Sequence, residues 1–216
     1  MRLINQLRLV SLGLLTFFSW ASSTEITAQA PAAKAPVVFT EKDREFALKY
    51  LNDTKADYIK QLTGISDAQL NFRAAEGRWT IAEVAEHITV VENALLGMMS
   101  SPMAAKTLKC EDVPRFADTA LILAITNRSQ KFTAPEQVRP NGRWKTRDEL
   151  LASFDKARAA TIAYIKDNKA DLRSSFVQTP MGSLDSFQGI LFLTGHSDRH
   201  LAQLKEVKGD PNYPKK

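Results

Sequence analysis

The sequence predicts an all-α fold, a four-helix bundle with a long connection between its second and third helices. Four long segments carry apolar residues at the spacing of one helix face. Three of them follow a threonine that can cap a helix N-terminus, at Thr40, Thr80 and Thr146. No segment shows a convincing alternation of apolar and polar residues, so we expect no β-strand. Together these features are typical of a helical bundle.

The composition is that of an ordinary soluble domain. Of the 216 residues, 44% are hydrophobic and 25% are charged. The formal net charge of +5 falls to about +3 when Arg2 and Arg8 are removed with a leader segment. Because no run of Lys and Arg is interleaved with aromatic residues, we expect no nucleic-acid partner. Cys110 is the only cysteine, so an intramolecular disulfide is excluded.

The first 21 residues have the organisation of a signal peptide. Residues 1–8 are basic, residues 9–20 are apolar, and small residues follow, with cleavage expected after Ala21 or after Ala30. The apolar stretch is shorter than the roughly 20 residues that a membrane helix needs, although an uncleaved anchor is the alternative. We therefore expect a periplasmic or secreted protein without stable membrane insertion after cleavage.

Residues 22–39 are rich in Ala, Pro, Ser and Thr and are expected to form a flexible linker. The folded domain is expected at residues 40–210. Its first helix should begin after Thr40, run to about Leu62 and end at Gly64.

The second helix begins after Thr80, which forms a capping box with Glu83, and should end near Pro102. A helical wheel predicts two different sides. The apolar side carries Val84, His87, Ile88, Val91, Ala94, Leu95 and Met98. The opposite, polar side carries Glu86, Thr89 and Asn93.

The long connection spans residues 103–145 and is expected to contain its own helix at about 116–129. Residues 135–144 are rich in turn formers. The third bundle helix follows Thr146, which pairs with Glu149 in another capping box.

The fourth bundle helix should start near Ser183 or Asp185 and reach about Lys208, before Gly209. One side of its wheel collects mostly apolar residues together with both histidines of this segment. That side carries Gly189, Phe192, Leu193, His196, His200, Gln203, Leu204 and Val207.

The three histidines of the chain all fall on apolar helix faces. His196 and His200 are four residues apart, so their rings project from successive turns of one helix. His87, from a facing helix, can complete a set of three imidazoles on one divalent metal ion. Such a set leaves a coordination position for water or substrate, as metal catalysis requires. We expect zinc or nickel first, with iron or manganese as alternatives.

Two other interpretations stay open at this point. The histidines can be unrelated, each satisfied by hydrogen bonds in the core or lying on the surface. Glu83 and Gln203 lie one turn from a histidine and are candidates for orienting an imidazole or polarising a bound water, but Glu83 can also serve the capping box alone. Candidates for the walls of a site are Tyr50, Met98, Phe116 and Phe192.

Three motifs resemble the DinB-like family. They are GRWTIAEVAEHI at residues 77–88, GRWKT at residues 142–146 and GHSDRHLAQL at residues 195–204. The resemblance covers roughly residues 40–210 and is specific in the order of its motifs. It implies a four-helix bundle with one divalent metal ion held by His87, His196 and His200. Because dimers are common in the family, it also implies a homodimer as an alternative to a monomer.

The family includes transferases and isomerases that use small thiols such as bacillithiol or mycothiol, together with many members of no known activity. The export signal departs from that pattern, because small thiol cofactors belong to the reducing cytosol. We therefore expect an exported metal-dependent enzyme, a hydrolase or a thiol-transferase-like protein, acting on an unknown small-molecule substrate. The alternative is a non-catalytic metal-binding or dimeric interaction module. The sequence assigns no catalytic acid or base.

Overall fold

In the computed structural model, residues 37–101, 116–179 and 182–215 are described. The predicted signal peptide and Cys110 lie outside these ranges. The described chain forms α1 (Glu41–Leu62), α2 (Asp67–Leu70), α3 (Ile81–Ser100), α4 (Asp118–Thr126), α5 (Arg147–Asp167) and α6 (Ser186–Lys208), with strands β1 (Phe176–Thr179) and β2 (Gly182–Asp185). A 3-10 turn, Glu136–Val138, lies between α4 and α5. Among the described helices, none has the length and apolar character of a membrane span.

The four long helices form the predicted bundle. Helix α6 packs against α1 and α3, and α5 packs against the same two helices. Helix α4, inside the long connection, lies against α6, and it falls within the segment where a short helix was expected. The all-α prediction is therefore confirmed for the bundle.

The predicted helix starts are confirmed by their caps. Thr40, Thr80 and Thr146 each accept a hydrogen bond from the N–H three residues later, and the acidic residue there accepts one from the cap N–H. Asp185 caps α6 by accepting from the N–H of Gln188. Each cap satisfies N–H groups that a helix end otherwise leaves without partners.

The expectation of no β-strand is wrong. β1 and β2 form an antiparallel hairpin in which Phe176 pairs with Asp185 and Val177 pairs with Leu184. Each strand has only four residues, and in neither do buried and exposed positions alternate, so the pattern of a half-buried strand is absent. Val177 and Leu184 are buried in the core, so tertiary packing stabilises the hairpin. The hairpin also occupies Ser183, which excludes that residue as the start of α6.

The predicted faces of α3 are also partly wrong. Glu86 and Thr89, predicted on the polar side, are buried, whereas Met98, predicted on the apolar side, is half exposed. A simple wheel assumes one buried side, but α3 is covered by α5, α6 and the turn at Glu136–Val138, so its buried arc is wider.

The core consists of two apolar clusters separated by a buried polar node. One cluster includes Leu51, Leu95 and Ile165, and the other includes Tyr58 and Phe154, whose rings stack at 3.7 Å. In α1, α5 and α6 a buried polar residue lies between the members of the two clusters, and in α3 a buried glutamate directly follows Val91, the first α3 member of one cluster. These four residues are Thr54, Glu92, Arg158 and Ser197.

Arg158 joins all four bundle helices at this node. Its guanidinium donates to both carboxylate oxygens of Glu92 in α3, at 2.6 and 2.8 Å. It also donates to the carbonyl of Leu51 and the hydroxyl of Thr54 in α1, both at 2.6 Å, and to the hydroxyl of Ser197 in α6 at 3.1 Å. Arg158 and Glu92 are almost completely buried, so each charge depends on these partners.

Replacing Arg158 by methionine should therefore destabilise the protein strongly. The variant leaves the Glu92 carboxylate buried without its cation, which typically costs about 3–5 kcal/mol of the free energy of unfolding. Urea unfolding followed by circular dichroism measures the loss. Lys49→Met, which removes one partner of the exposed Lys49–Asp53 pair, is the control and should change stability little. If Arg158→Met lowered the free energy of unfolding as little as the control does, the Glu92 carboxylate would not depend on Arg158 as its buried partner.

Candidate metal centre

The bundle brings the three histidines together. His87 comes from α3, and His196 and His200 come from successive turns of α6. Their ring centroids lie 4.4 to 4.9 Å apart. One ring nitrogen of each lies within 4.8 Å of the other two. The structure thus places the predicted residues in one cluster and excludes the interpretation that they are scattered.

His87 is oriented by a backbone carbonyl. Its Nδ1 lies 2.7 Å from the carbonyl oxygen of Val138, and its Nε2 lies 3.2 Å from Nε2 of His196. Because a carbonyl only accepts, Nδ1 of the neutral ring must carry the proton. The Nε2 lone pair of His87 then points into the cluster, as a metal ligand requires.

His200 is oriented in the same way by the next turn of its own helix. Its Nδ1 lies 2.8 Å from Oε1 of Gln203, one of the two residues expected to orient an imidazole. The amide oxygen accepts the Nδ1 proton and leaves the Nε2 lone pair free. Two of the three rings therefore present the same nitrogen to the cluster.

Glu83 has different partners. One carboxylate oxygen accepts from the N–H of Thr80 at 2.7 Å, and the other accepts from the guanidinium of Arg73 at 2.8 Å. The structure thus contains the capping box that was the alternative for this residue. A role of Glu83 in orienting an imidazole stays a prediction.

Aromatic rings border the cluster on two sides. The Trp79 ring lies 4.8 Å from that of His87 and 6.3 Å from that of His200, and the Phe192 ring lies 6.4 Å from that of His196. Phe192 was among the predicted wall residues and Trp79 was not. A signal for Trp79 existed, since a large apolar residue just before an N-cap often packs on the helix that follows.

The other three predicted wall residues lie elsewhere or have other partners. Met98 and Phe116 are exposed at 50% and 43%. The hydroxyl of Tyr50 donates to the carboxylate of Asp198 at 3.1 Å, a residue that the wheel places on the other side of α6 from the histidines.

Burial keeps the three imidazoles neutral. Burial is the largest cause of a lowered pKa at each ring. At His196 and His200 a second cause is the neighbouring imidazoles, because two positive rings repel each other. Together these causes lower the pKa of His200 to about 3 and that of His196 well below its usual value. Neutral imidazole is the form that binds metal ions.

One pair of ring nitrogens in the cluster has the spacing of two ligands of a divalent cation. Two nitrogens bound to one tetrahedral zinc ion, each about 2.0–2.1 Å from it, lie about 3.3–3.4 Å apart. The Nε2 atoms of His87 and His196 are separated by 3.2 Å. Two nitrogen lone pairs at that distance repel each other unless a proton or a cation lies between them. Imidazole ligands suit several divalent metals, zinc, nickel and iron among them.

The stability of the metal-free protein should fall as the pH is lowered from 6.5 to 5. A histidine whose pKa is lowered in the folded protein leaves stability unaffected above pH 6.5, which is about its pKa in the unfolded chain. Below that pH the unfolded chain takes up a proton that the folded protein does not. Each ring that stays neutral in the folded state then lowers the free energy of unfolding by about 1.4 kcal/mol per pH unit. Urea unfolding with a chelator present, at several pH values, measures the slope. Carboxylates titrate mainly below this window, so a flat profile would contradict buried neutral rings.

Comparisons with known proteins give the family. The sequence model of the DinB superfamily matches residues 30–204. A protein named uncharacterized protein YuaE, from Bacillus subtilis (strain 168), is 25% identical over 164 residues, which cover 74% of this chain and 96% of that protein. The crystal structure of TT2238, described as a four-helix bundle protein, shares 22% identity with a TM-score of 0.49, covering 76% of this chain and 98% of that chain. Because the family model spans most of its length, the chain belongs to the DinB superfamily.

Proposed function

We propose that this protein binds one divalent metal ion through His87, His196 and His200 and is an exported metal-dependent enzyme for a small-molecule substrate. One observation carries the proposal. Three buried or half-buried imidazoles from two packed helices meet with their ring nitrogens within 4.8 Å. Such a cluster is costly without a cation, since it desolvates three polar rings whose like charges repel on protonation.

The protein would favour a bound metal ion in two ways, by orienting the imidazole rings and by excluding water from the site. The Val138 carbonyl and Gln203 hold two of the rings with Nε2 directed inward. Trp79 and Phe192 cover two sides with apolar surface, which strengthens electrostatic interactions inside the site. A bound zinc or nickel ion, with iron or manganese as alternatives, would supply Lewis acidity at a coordination position left open by three protein ligands.

The predicted location selects between the reaction classes. Hydrolysis needs only water and is compatible with an exported protein. A thiol-transferase-like reaction needs a small reduced thiol, which an oxidising compartment does not maintain. We therefore place hydrolysis first and thiol transfer second.

A non-catalytic metal-binding or dimeric interaction module is the second candidate. The metal-ligating cluster found in the described residues contains imidazoles only. Metal-dependent hydrolases usually add a carboxylate or another base that takes a proton from the bound water. The absence of a carboxylate from this cluster is the observation that favours the module.

His196→Ala should abolish stoichiometric metal binding. The variant removes the ring whose Nε2 approaches that of His87, and a site with two imidazoles binds zinc far more weakly than one with three. Metal content after zinc or nickel loading and gel filtration measures this. Asn93→Ala, at an exposed position of α3, is the control and should retain about one equivalent. Equal metal content in both variants, or none in the wild type, would rule out both of the metal-dependent functions.

The two functions differ in turnover. The zinc-loaded protein should be assayed for ester and amide hydrolysis and for transfer of a small thiol. Activity that disappears with a chelator, returns with zinc and is absent from His196→Ala supports the enzyme. Full metal occupancy without turnover in any of these assays supports the module.

Export predicts a processed N-terminus. The full chain, expressed in a bacterial host with its own export machinery, should be recovered from the periplasm or medium with Ser22 as its first residue, or Pro31 if the second site is used. N-terminal sequencing of the purified protein measures this. An unprocessed chain retained in the cytosol would contradict the prediction.

A further inference from the structure

We propose that Glu86 is a positioning residue of the metal centre, which holds the loop at residues 138–143 so that the Val138 carbonyl orients His87. The inference rests on the proposed metal site. It concerns a buried carboxylate that the sequence had placed on the polar side of α3.

The Glu86 carboxylate is enclosed by this loop. Its side chain is 3% exposed. One oxygen accepts from the N–H of Asn141 at 2.9 Å and from the Arg143 guanidinium at 2.8 Å. The other accepts from the N–H of Gly142 at 2.9 Å and from the N–H of Arg143 at 3.3 Å. All four donors belong to residues 141–143.

The loop is shaped to receive a carboxylate. Three successive backbone N–H groups converge on it, and Gly142 has φ +75°, a left-handed conformation that lets consecutive N–H groups form an anion-binding concavity. A buried carboxylate is costly unless it is hydrogen-bonded and paired with a cation. Arg143 supplies that cation and also donates to the carbonyl of Arg139 at 3.1 Å, which closes the loop on itself.

This anchor and the bond to His87 act on one short stretch of chain. Glu86 and His87 are consecutive in α3, so their side chains leave the helix about 100° apart. Glu86 accepts hydrogen bonds from the loop at residues 141–143. Nδ1 of His87 contacts the carbonyl of Val138, the residue before Arg139. The loop is thus attached to α3 at two points, at the Val138 carbonyl and at residues 141–143. Val138 also packs against the core, so loss of Glu86 should loosen the loop without releasing it.

The carbonyl matters to a metal because it selects the tautomer of His87. With the proton held on Nδ1, the Nε2 lone pair is available. Without that acceptor the proton can move to Nε2, where it blocks ligation. Loss of a hydrogen-bond partner behind a ligating histidine typically costs 10- to 100-fold in metal affinity. Because Glu86 acts one step further away, we expect about a 10-fold loss.

Glu86→Gln tests the proposal. The amide keeps the size of the side chain but replaces one acceptor oxygen by an NH₂ group, which then faces loop N–H donors. Proton–nitrogen NMR correlation of the metal-free protein should show His87 as a single Nδ1–H tautomer in the wild type and as a tautomer mixture in the variant. Zinc affinity, measured by competition with a chelator, should fall about 10-fold.

Glu136→Gln is the matched control. Glu136 lies in the turn before Val138, is exposed, and carries the same charge, so the variant should keep the wild-type tautomer and zinc affinity. Arg143→Met is the second variant, to be used if Glu86→Gln fails to fold. It removes the cation but leaves the three loop N–H groups, so the same tautomer change is expected with a smaller loss of affinity.

The two measurements separate this inference from the proposed function. A wild-type tautomer in whichever of Glu86→Gln and Arg143→Met folds overturns the positioning role. So does a zinc affinity equal to that of Glu136→Gln. The remaining result is a changed His87 tautomer in the variant together with a wild-type protein that binds no zinc. It would support the positioning of His87 by Glu86 and would overturn only the metal site.

Discussion

The fold depends on the buried pairing of Arg158 with Glu92. This pair and its neighbours connect all four bundle helices at one level, between the two apolar clusters. A buried ion pair contributes little net stability compared with apolar packing, but breaking it is costly. Sliding any of the helices by one turn, about 5.4 Å, would separate buried partners. The pair therefore fixes mainly the alignment of the helices along their axes. A site built from side chains of two helices requires that alignment.

The metal centre follows from that register. Ser197, which accepts from Arg158, is the neighbour of His196 in α6, and Glu92 lies little more than one turn after His87 in α3. Fixing these two helices at the node places their histidines opposite each other. The cost is a cluster of desolvated imidazoles with lowered pKa values. A bound cation would offset that cost, so metal binding and folding stability should be linked.

Much of the bundle and the ligand set could be predicted because their signals are local. A threonine followed three residues later by an acidic residue gives a capping box, and the four-residue spacing of His196 and His200 places two rings on one face. The role of Glu86 could not be predicted, because its partners are backbone N–H groups far along the chain, and backbone groups carry no sequence signal. The Val138 carbonyl was missed for the same reason. The hairpin was missed because packing against α6 decides its conformation more than its own residues do.

X-ray absorption spectroscopy of the zinc-loaded protein tests the metal site most directly. The signal reports the number and type of atoms that bind the metal. We expect three imidazole nitrogens at about 2.0–2.1 Å, with the remaining coordination supplied by water or another small oxygen ligand. In His196→Ala the imidazole signal should fall to two rings or be lost. A wild-type spectrum with fewer than three imidazoles, or one that His196→Ala leaves unchanged, would contradict a metal site built from the three histidines.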